Sequence, residues 1–212
     1  MTRKHTLYLA MELLGIFVFI PLLYFRDLIP LPKILTLFIV TAIVILFLYR
    51  KGMLFNDEEG LEDKANTKWY RVIAIRSISV AGILILITLL DNSNNLFNFP
   101  IQNPVKWILI MLLYPVFSAF PQEIVYRKFF FLRYKSLFRS SIQMYAASSI
   151  AFAFLHIVYN NLLAIIITLI GGFIFSITYG KSRSLRVVTI EHAVYGCLVF
   201  TIGLGNYFYG NF

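Results

Sequence analysis

The sequence predicts an all-α, polytopic transmembrane helical bundle, and three observations carry that prediction. Of 212 residues, 59% are hydrophobic and only 14% charged, against about 25% charged in an average soluble domain. Mean hydropathy is +0.78, with 21 Phe and 13 Tyr. From Ser140 to Gly180, 41 consecutive residues include no Asp, Glu, Lys or Arg; at about 1.5 Å of rise per residue, such a run crosses an apolar slab about 30 Å thick twice. A soluble globule of this size could not hide that much apolar surface, so a secreted domain, a nucleic-acid binder and a coiled coil are excluded.

Hydropathy places spans at residues 7–25, 34–49, 73–90, 107–122 with continuation beyond, 142–157, 162–179 and 187–204, about seven in all with an eighth admissible. Before the first, Met-Thr-Arg-Lys-His imitates a signal peptide, but the apolar run reaches Phe25 without a small-residue cleavage site and is expected to remain as a span. After the second lies the only substantial polar insert, Arg50 to Arg71. Its acids, Asp57, Glu58, Glu59, Glu62 and Asp63, lie among bases and read as a solvated cytoplasmic loop, 50–71. Asp91 to Asn103, rich in Asn and followed by Pro104, suits an external loop. Pro115 and Pro121 around the fourth span and Gly171-Gly172 in the sixth mark bends or close packing. Cys197, the single cysteine, cannot form an intramolecular disulfide and reads as a small lipid- or core-facing residue. With no internal repeat or linker, 1–212 reads as one integral membrane domain: 1–100 supplies generic spans and 107–205 bears the motifs.

The formal net charge of +9 is read as topology, because Lys and Arg are retained in short cytoplasmic loops. With the N-terminus inside, 16 of the 19 basic residues fall in inner segments, and only Arg26, Lys33 and Lys106 lie outside. N-in and C-out is therefore expected. The small size and the Ile, Phe and Asn richness suit a multi-pass protein of a bacterial plasma membrane.

Ionisable groups cost roughly 2.5 to 3.5 kcal/mol near the centre of a membrane helix, so those that occur there are functional candidates. They are Glu12, Glu123, His156, Glu191 and His192, with Arg127 one turn after Glu123. Glu123 and Arg127, at i and i+4, share a helical face and can pair. A paired carboxylate stays ionised and held, as a general base must be; the plainer alternative is an ion pair ending the span at the cytoplasmic rim. Phe152-Ala-Phe-Leu-His156 sets an aromatic ring one turn from an imidazole, and Glu191-His192 adds a second intramembrane histidine; each also suits a satisfied core pair. Glu12 stands alone in its helix and reads as structural. One glutamate and two histidines on three spans can either bind a divalent metal such as zinc or activate a water, and the spacing leaves both open.

In the order Gln122-Glu123-x-x-x-Arg127, Phe152-x-x-x-His156 and His192-x-x-x-Gly196, the chain resembles the CPBP family of intramembrane proteases, which includes CAAX prenyl endopeptidases and the bacteriocin-processing and self-immunity (Abi) proteins. That family carries Glu-Glu-x-x-x-Arg, Phe-x-x-x-His and His-x-x-x-Asn on successive helices. The resemblance implies an endopeptidase acting on a peptide or membrane-delivered protein substrate at a site within the bilayer. It also implies water activation by the first glutamate with the histidines, and an oxyanion donor in the closing asparagine. Here those two positions are Gln122 and Gly196, so either Glu123 has taken over as base or the chain has lost catalysis and serves as a scaffold or immunity protein binding a peptide or partner helix. On the catalytic reading, Glu123 held by Arg127 deprotonates a water that His156 orients. His192 then serves the oxyanion or the leaving amine, and Gln122 supplies the missing donor. One expectation works against convergence: in straight rods His156 lies near the outer end of its span and His192 near the inner end of its own.

Overall fold

The computed structural model describes residues 3–54 and 63–209. Among them are helices and turns with no strand, and seven helices are long and apolar enough to cross a membrane. These are α1 (Arg3–Phe25), α2 (Lys33–Arg50), α3 (Thr67–Asn95), α4 (Pro104–Leu137), α5 (Ser141–Tyr159), α6 (Leu162–Ser182) and α7 (Leu185–Ile202). The chain is a multi-pass membrane protein, as its hydropathy requires.

Helix starts follow local chemistry. Ser140, Asn161 and Ser184 sit extended at the N-caps of α5, α6 and α7, and their side chains accept from the backbone N–H of Gln143, Ala164 and Val187. The α7 terminus needs glycine: Gly203 has φ +121°, and a Cβ there would collide with the Asn95 carbonyl.

Two helices carry widened π turns, each just before a proline. In α1 the turn Gly15–Phe19 precedes Pro21, and in α4 the turn Pro115–Ala119 precedes Pro121. A proline ring clashes with the carbonyl four residues back; the turn relieves this by letting Ile20 N–H reach Gly15 O and Phe120 N–H reach Pro115 O. A second π turn, Ile124–Phe129, follows in α4. The two together rotate the later part of α4 relative to a regular helix.

Packing gathers around α4. Phe17, from the π turn of α1, meets Tyr126, Phe130 and Tyr134 edge-on at ring separations of 5.2, 5.3 and 6.0 Å. Such edge contacts add about 0.5 to 1.5 kcal/mol each beyond area burial. Helices α5 and α6 pack together extensively, because small residues let the backbones approach, as membrane helices require when lipid offers no hydrophobic drive. A Cβ at Gly172 would lie 3.1 Å from Phe152 Cδ1 and 3.2 Å from Ser149 Oγ, so the expected close packing at this glycine is present; at Gly171 the nearest atom is 3.5 Å away.

Several expectations need correction. The polar insert is not a loop to Arg71, since helical backbone resumes at Asp63; Asp57, Glu58, Glu59 and Glu62 lie outside the described residues. Asp91 to Asn103 is not an open loop but contains the helical turns Ser93–Asn95 and Asn98–Gln102, with Phe97 N–H bonded to Ile202 O. As expected of the fourth span, α4 does continue past residue 122, to Leu137, so Glu123 lies within the helix rather than at its end. Four bases counted as inner-segment charges are instead held by protein groups within the fold. Arg76 is paired with Glu191, Arg127 with Glu123, Lys128 with Leu54 O and Arg133 with Glu12.

Candidate active site

Glu123 and Arg127 are fully buried on α4, with Arg127 Nε 3.2 Å from Glu123 Oε2. The contact is between charges and is not aligned as a hydrogen bond, because Oε2 and Nε both lack a hydrogen-bond partner. Arg127 Nη2 donates to Gly172 O at 3.0 Å, and its guanidinium lies over the Phe152 ring at 4.6 Å. Aromatic faces and one carbonyl thus hold a buried cation against the Glu123 carboxylate.

The other carboxylate oxygen, Glu123 Oε1, is 2.7 Å from His192 Nδ1. A carboxylate can only accept, so Nδ1 carries a proton, and in the neutral tautomer Nε2 bears the lone pair. That Nε2 is 3.0 Å from Tyr114 Oη, which must then donate to it. His192 is stacked on Phe175 at 4.7 Å and set edge-on to Phe152 at 5.4 Å. His156 begins the helical turn that closes α5, and its Nδ1 lies 2.8 Å from Phe152 O. A backbone carbonyl also only accepts, so the second imidazole likewise presents an Nε2 lone pair.

Both histidines line one apolar cavity of about 190 Å³, together with Tyr114, Ser118, Gln122 and Gly196. The anticipated difference in depth does not separate them: α7 starts at Leu185, which places His192 well inside the helix, and Phe152 touches both rings. A second cavity, about 540 Å³, lies against α1 and α2 and shares Ser118, Gln122, His156 and Tyr159 with the first. Gln122 stands at this junction. Its Nε2 is 2.9 Å from Ser118 Oγ, and its Oε1 has no hydrogen-bond partner.

Glu123 lines neither cavity. It stands behind His192, which is a different place from the one its expected role as base requires. Glu191 is separated from the site altogether. As the neighbour of His192 it points to another face and takes Arg76 Nη1 and Tyr195 Oη on Oε1, each at 3.2 Å. Glu12 is not alone, since Arg133 meets it through two nitrogens at 2.8 and 2.6 Å and Tyr134 donates at 3.0 Å.

Among the described residues, no group of three His, Cys, Asp or Glu side chains is placed to hold a metal ion. The set left open for a metal, Glu123, His156 and His192, does not fit one as arranged, because Glu123 Oε1 and both nitrogens of His192 are already in hydrogen bonds. The residue that sequence reasoning missed is Tyr114. Its signal was the spacing Tyr114, Ser118, Gln122, three polar tips four apart on one face of an apolar helix.

A carboxylate behind an imidazole, with two histidines on the wall of an apolar cavity inside a helical bundle, is an arrangement suited to acid–base hydrolysis within a membrane. Residues 104–198 match the family model described as type II CAAX prenyl endopeptidase Rce1-like. This segment, just under half of the chain, is similar to the Rce1-like CAAX endopeptidases of the CPBP family, which supports an intramembrane protease at family level. The match runs from the start of α4 into α7 and contains every residue of the cavity motif. No curated protein and no solved structure matches the chain.

Proposed function

We propose that the chain is an intramembrane endopeptidase that hydrolyses a peptide bond in a short or membrane-associated substrate of the CAAX or leader-peptide type. The observation that carries this reading is the Glu123–His192 pair, whose geometry leaves Nε2 on the cavity wall. A water that displaces the Tyr114 hydroxyl from His192 Nε2 gives that nitrogen a proton, and the hydroxide attacks the scissile carbonyl. The imidazolium so formed is stabilised by Glu123, itself held by Arg127; these two are positioning residues. His156 Nε2 accepts the second hydrogen of the attacking water and fixes its direction. The proton on His192 then passes to the leaving amine. Glu123 is thus reassigned from base to orienter, because its oxygens face His192 and Arg127. No step is routed through a metal.

The reading is tested with purified protein in liposomes of a bacterial lipid extract. The probe is an internally quenched, S-farnesylated peptide ending in Cys-aliphatic-aliphatic-Met, with a leader-type peptide library beside it. Loss of a positioned base lowers turnover about 100- to 10,000-fold, so His192→Gln should fall by that order while remaining folded. Glu123→Gln should lower kcat with KM little changed, and Glu123→Asp should recover part of the loss. If wild type and His192→Gln act alike on every peptide, the protease reading fails. The rival would then hold: a scaffold that seats a peptide or helix in the cavity without cutting it, favoured by Gln122 standing at the cavity junction in place of a carboxylate.

A further inference from the structure

Tyr114 and Gly196 fit one another in a way that the proton transfers above do not use. A Cβ built at position 196 would collide with the tip of the Tyr114 ring, its Cε1, Cζ and Oη. Any residue larger than glycine on this turn of α7 would therefore expel the phenol from its place. That place is on the cavity wall, with Oη 3.0 Å from His192 Nε2 and the ring edge-on to His192 at 6.0 Å and to Phe200 at 5.7 Å. The helix face opposite Tyr114 is cut away for the ring, and the ring delivers one hydroxyl to the nitrogen that carries the lone pair.

We propose that Tyr114 is the oxyanion donor of the hydrolytic site and that Gly196 exists to admit it; the proposal rests on the protease reading. In the resting site the phenol donates its hydrogen to His192 Nε2. The attacking water displaces the phenol from Nε2 and donates to that nitrogen in its place, so the phenol hydrogen is free before the proton moves. As the proton moves, the hydroxide oxygen bonds the scissile carbon, the carbonyl π pair moves to its oxygen, and the Tyr114 hydroxyl turns to donate to that oxyanion. On collapse the oxyanion pair returns to the carbonyl, the C–N bond breaks, and the imidazolium proton goes to the leaving nitrogen. His192 Nε2 then accepts from Tyr114 again. The donor is occupied in the resting site and freed when the attacking water takes its place on Nε2. Gln122 Nε2 gives one of its two hydrogens to Ser118 Oγ, whereas the Tyr114 hydroxyl is the donor that already touches His192.

Three variants test this in the liposome cleavage assay, with monodispersity and thermal unfolding recorded for each. Tyr114→Phe keeps the ring against Gly196 and removes only the hydroxyl; kcat should fall about 100- to 1000-fold, the usual effect of losing one such donor, with KM nearly unchanged. Binding of a peptidyl phosphonate, which mimics the tetrahedral state, should weaken by a similar factor while binding of the uncleaved product peptide does not. Gly196→Asn alone should be inactive through collision with the ring. Tyr114→Ala with Gly196→Asn, which puts an amide donor into the vacated space, should turn over faster than Tyr114→Ala, by about tenfold or more if the amide replaces part of one donor's effect. If Tyr114→Phe cleaves at the wild-type rate while His192→Gln is dead, the donor assignment is overturned and the protease stands. A tyrosine that only positioned His192 would lower kcat without altering phosphonate selectivity, and that result also overturns the assignment. Absence of any His192-dependent cleavage by wild type removes both the protease reading and this proposal.

Discussion

Arg127→Met should destabilise the protein severely, and adding Glu123→Gln should restore much of the loss. Neither Arg127 nor Glu123 has exposed side-chain surface. Removing the guanidinium strands a buried carboxylate, and breaking a buried pair from one side typically costs about 3 to 5 kcal/mol. The charged hydrogen bond to Gly172 O goes as well, for about 1.5 to 3 kcal/mol. Methionine fills most of the volume between Phe152 and Phe175, so cavity formation adds little. In the double variant the stranded charge is gone and the new side-chain amide at position 123 still accepts from His192 Nδ1 through its carbonyl, so about 3 kcal/mol should return. For a chain of this size about 1 kcal/mol moves Tm by about 2 to 4 °C, which puts the recovery near roughly 10 °C in detergent-solubilised protein. Thermal unfolding of wild type, both single variants and the double variant completes the cycle. Cleavage should be lost in Arg127→Met and not recovered in the double variant. A double variant no more stable than Arg127→Met, or an Arg127→Met protein that melts together with wild type, would refute the argument that this pair is held by mutual charge.

Two adjacent glycines should respond in opposite ways. Gly172→Ala pushes a methyl to 3.1 Å from Phe152 and 3.2 Å from Ser149, an overpacking worth about 1 to 3 kcal/mol, whereas Gly171→Ala meets nothing nearer than 3.5 Å and should stay within about 0.5 kcal/mol of wild type; parallel thermal melts decide it. Orientation is the other expectation. Setting aside the four bases held within the fold, twelve of the original sixteen still fall in the segments expected inside against three in those expected outside, so a reporter fused after Phe212, itself outside the described residues, should be active only on the outer face, and cytoplasmic activity would mean an even number of crossings.

Whatever depends on neighbours along the chain was legible in the residues alone. Apolar runs set the seven helices, and the spacing of Glu123 and Arg127 set their shared face. The three motifs named the residues that meet. Which partner each polar group takes was settled by packing. Glu191 and His192 are consecutive, yet about 100° of rotation between neighbours on a helix sends one to Arg76 and the other to Glu123. Arg133 and Glu12 are 121 residues apart, a distance no local pattern spans. The role of Glu123 also turned on packing: two π turns, raised around Pro121, rotate α4 so that the carboxylate backs His192 while Gln122 faces the cavity. Tyr114 was invisible for the same reason, since a phenol in an apolar run has no address until the helix across from it presents a glycine.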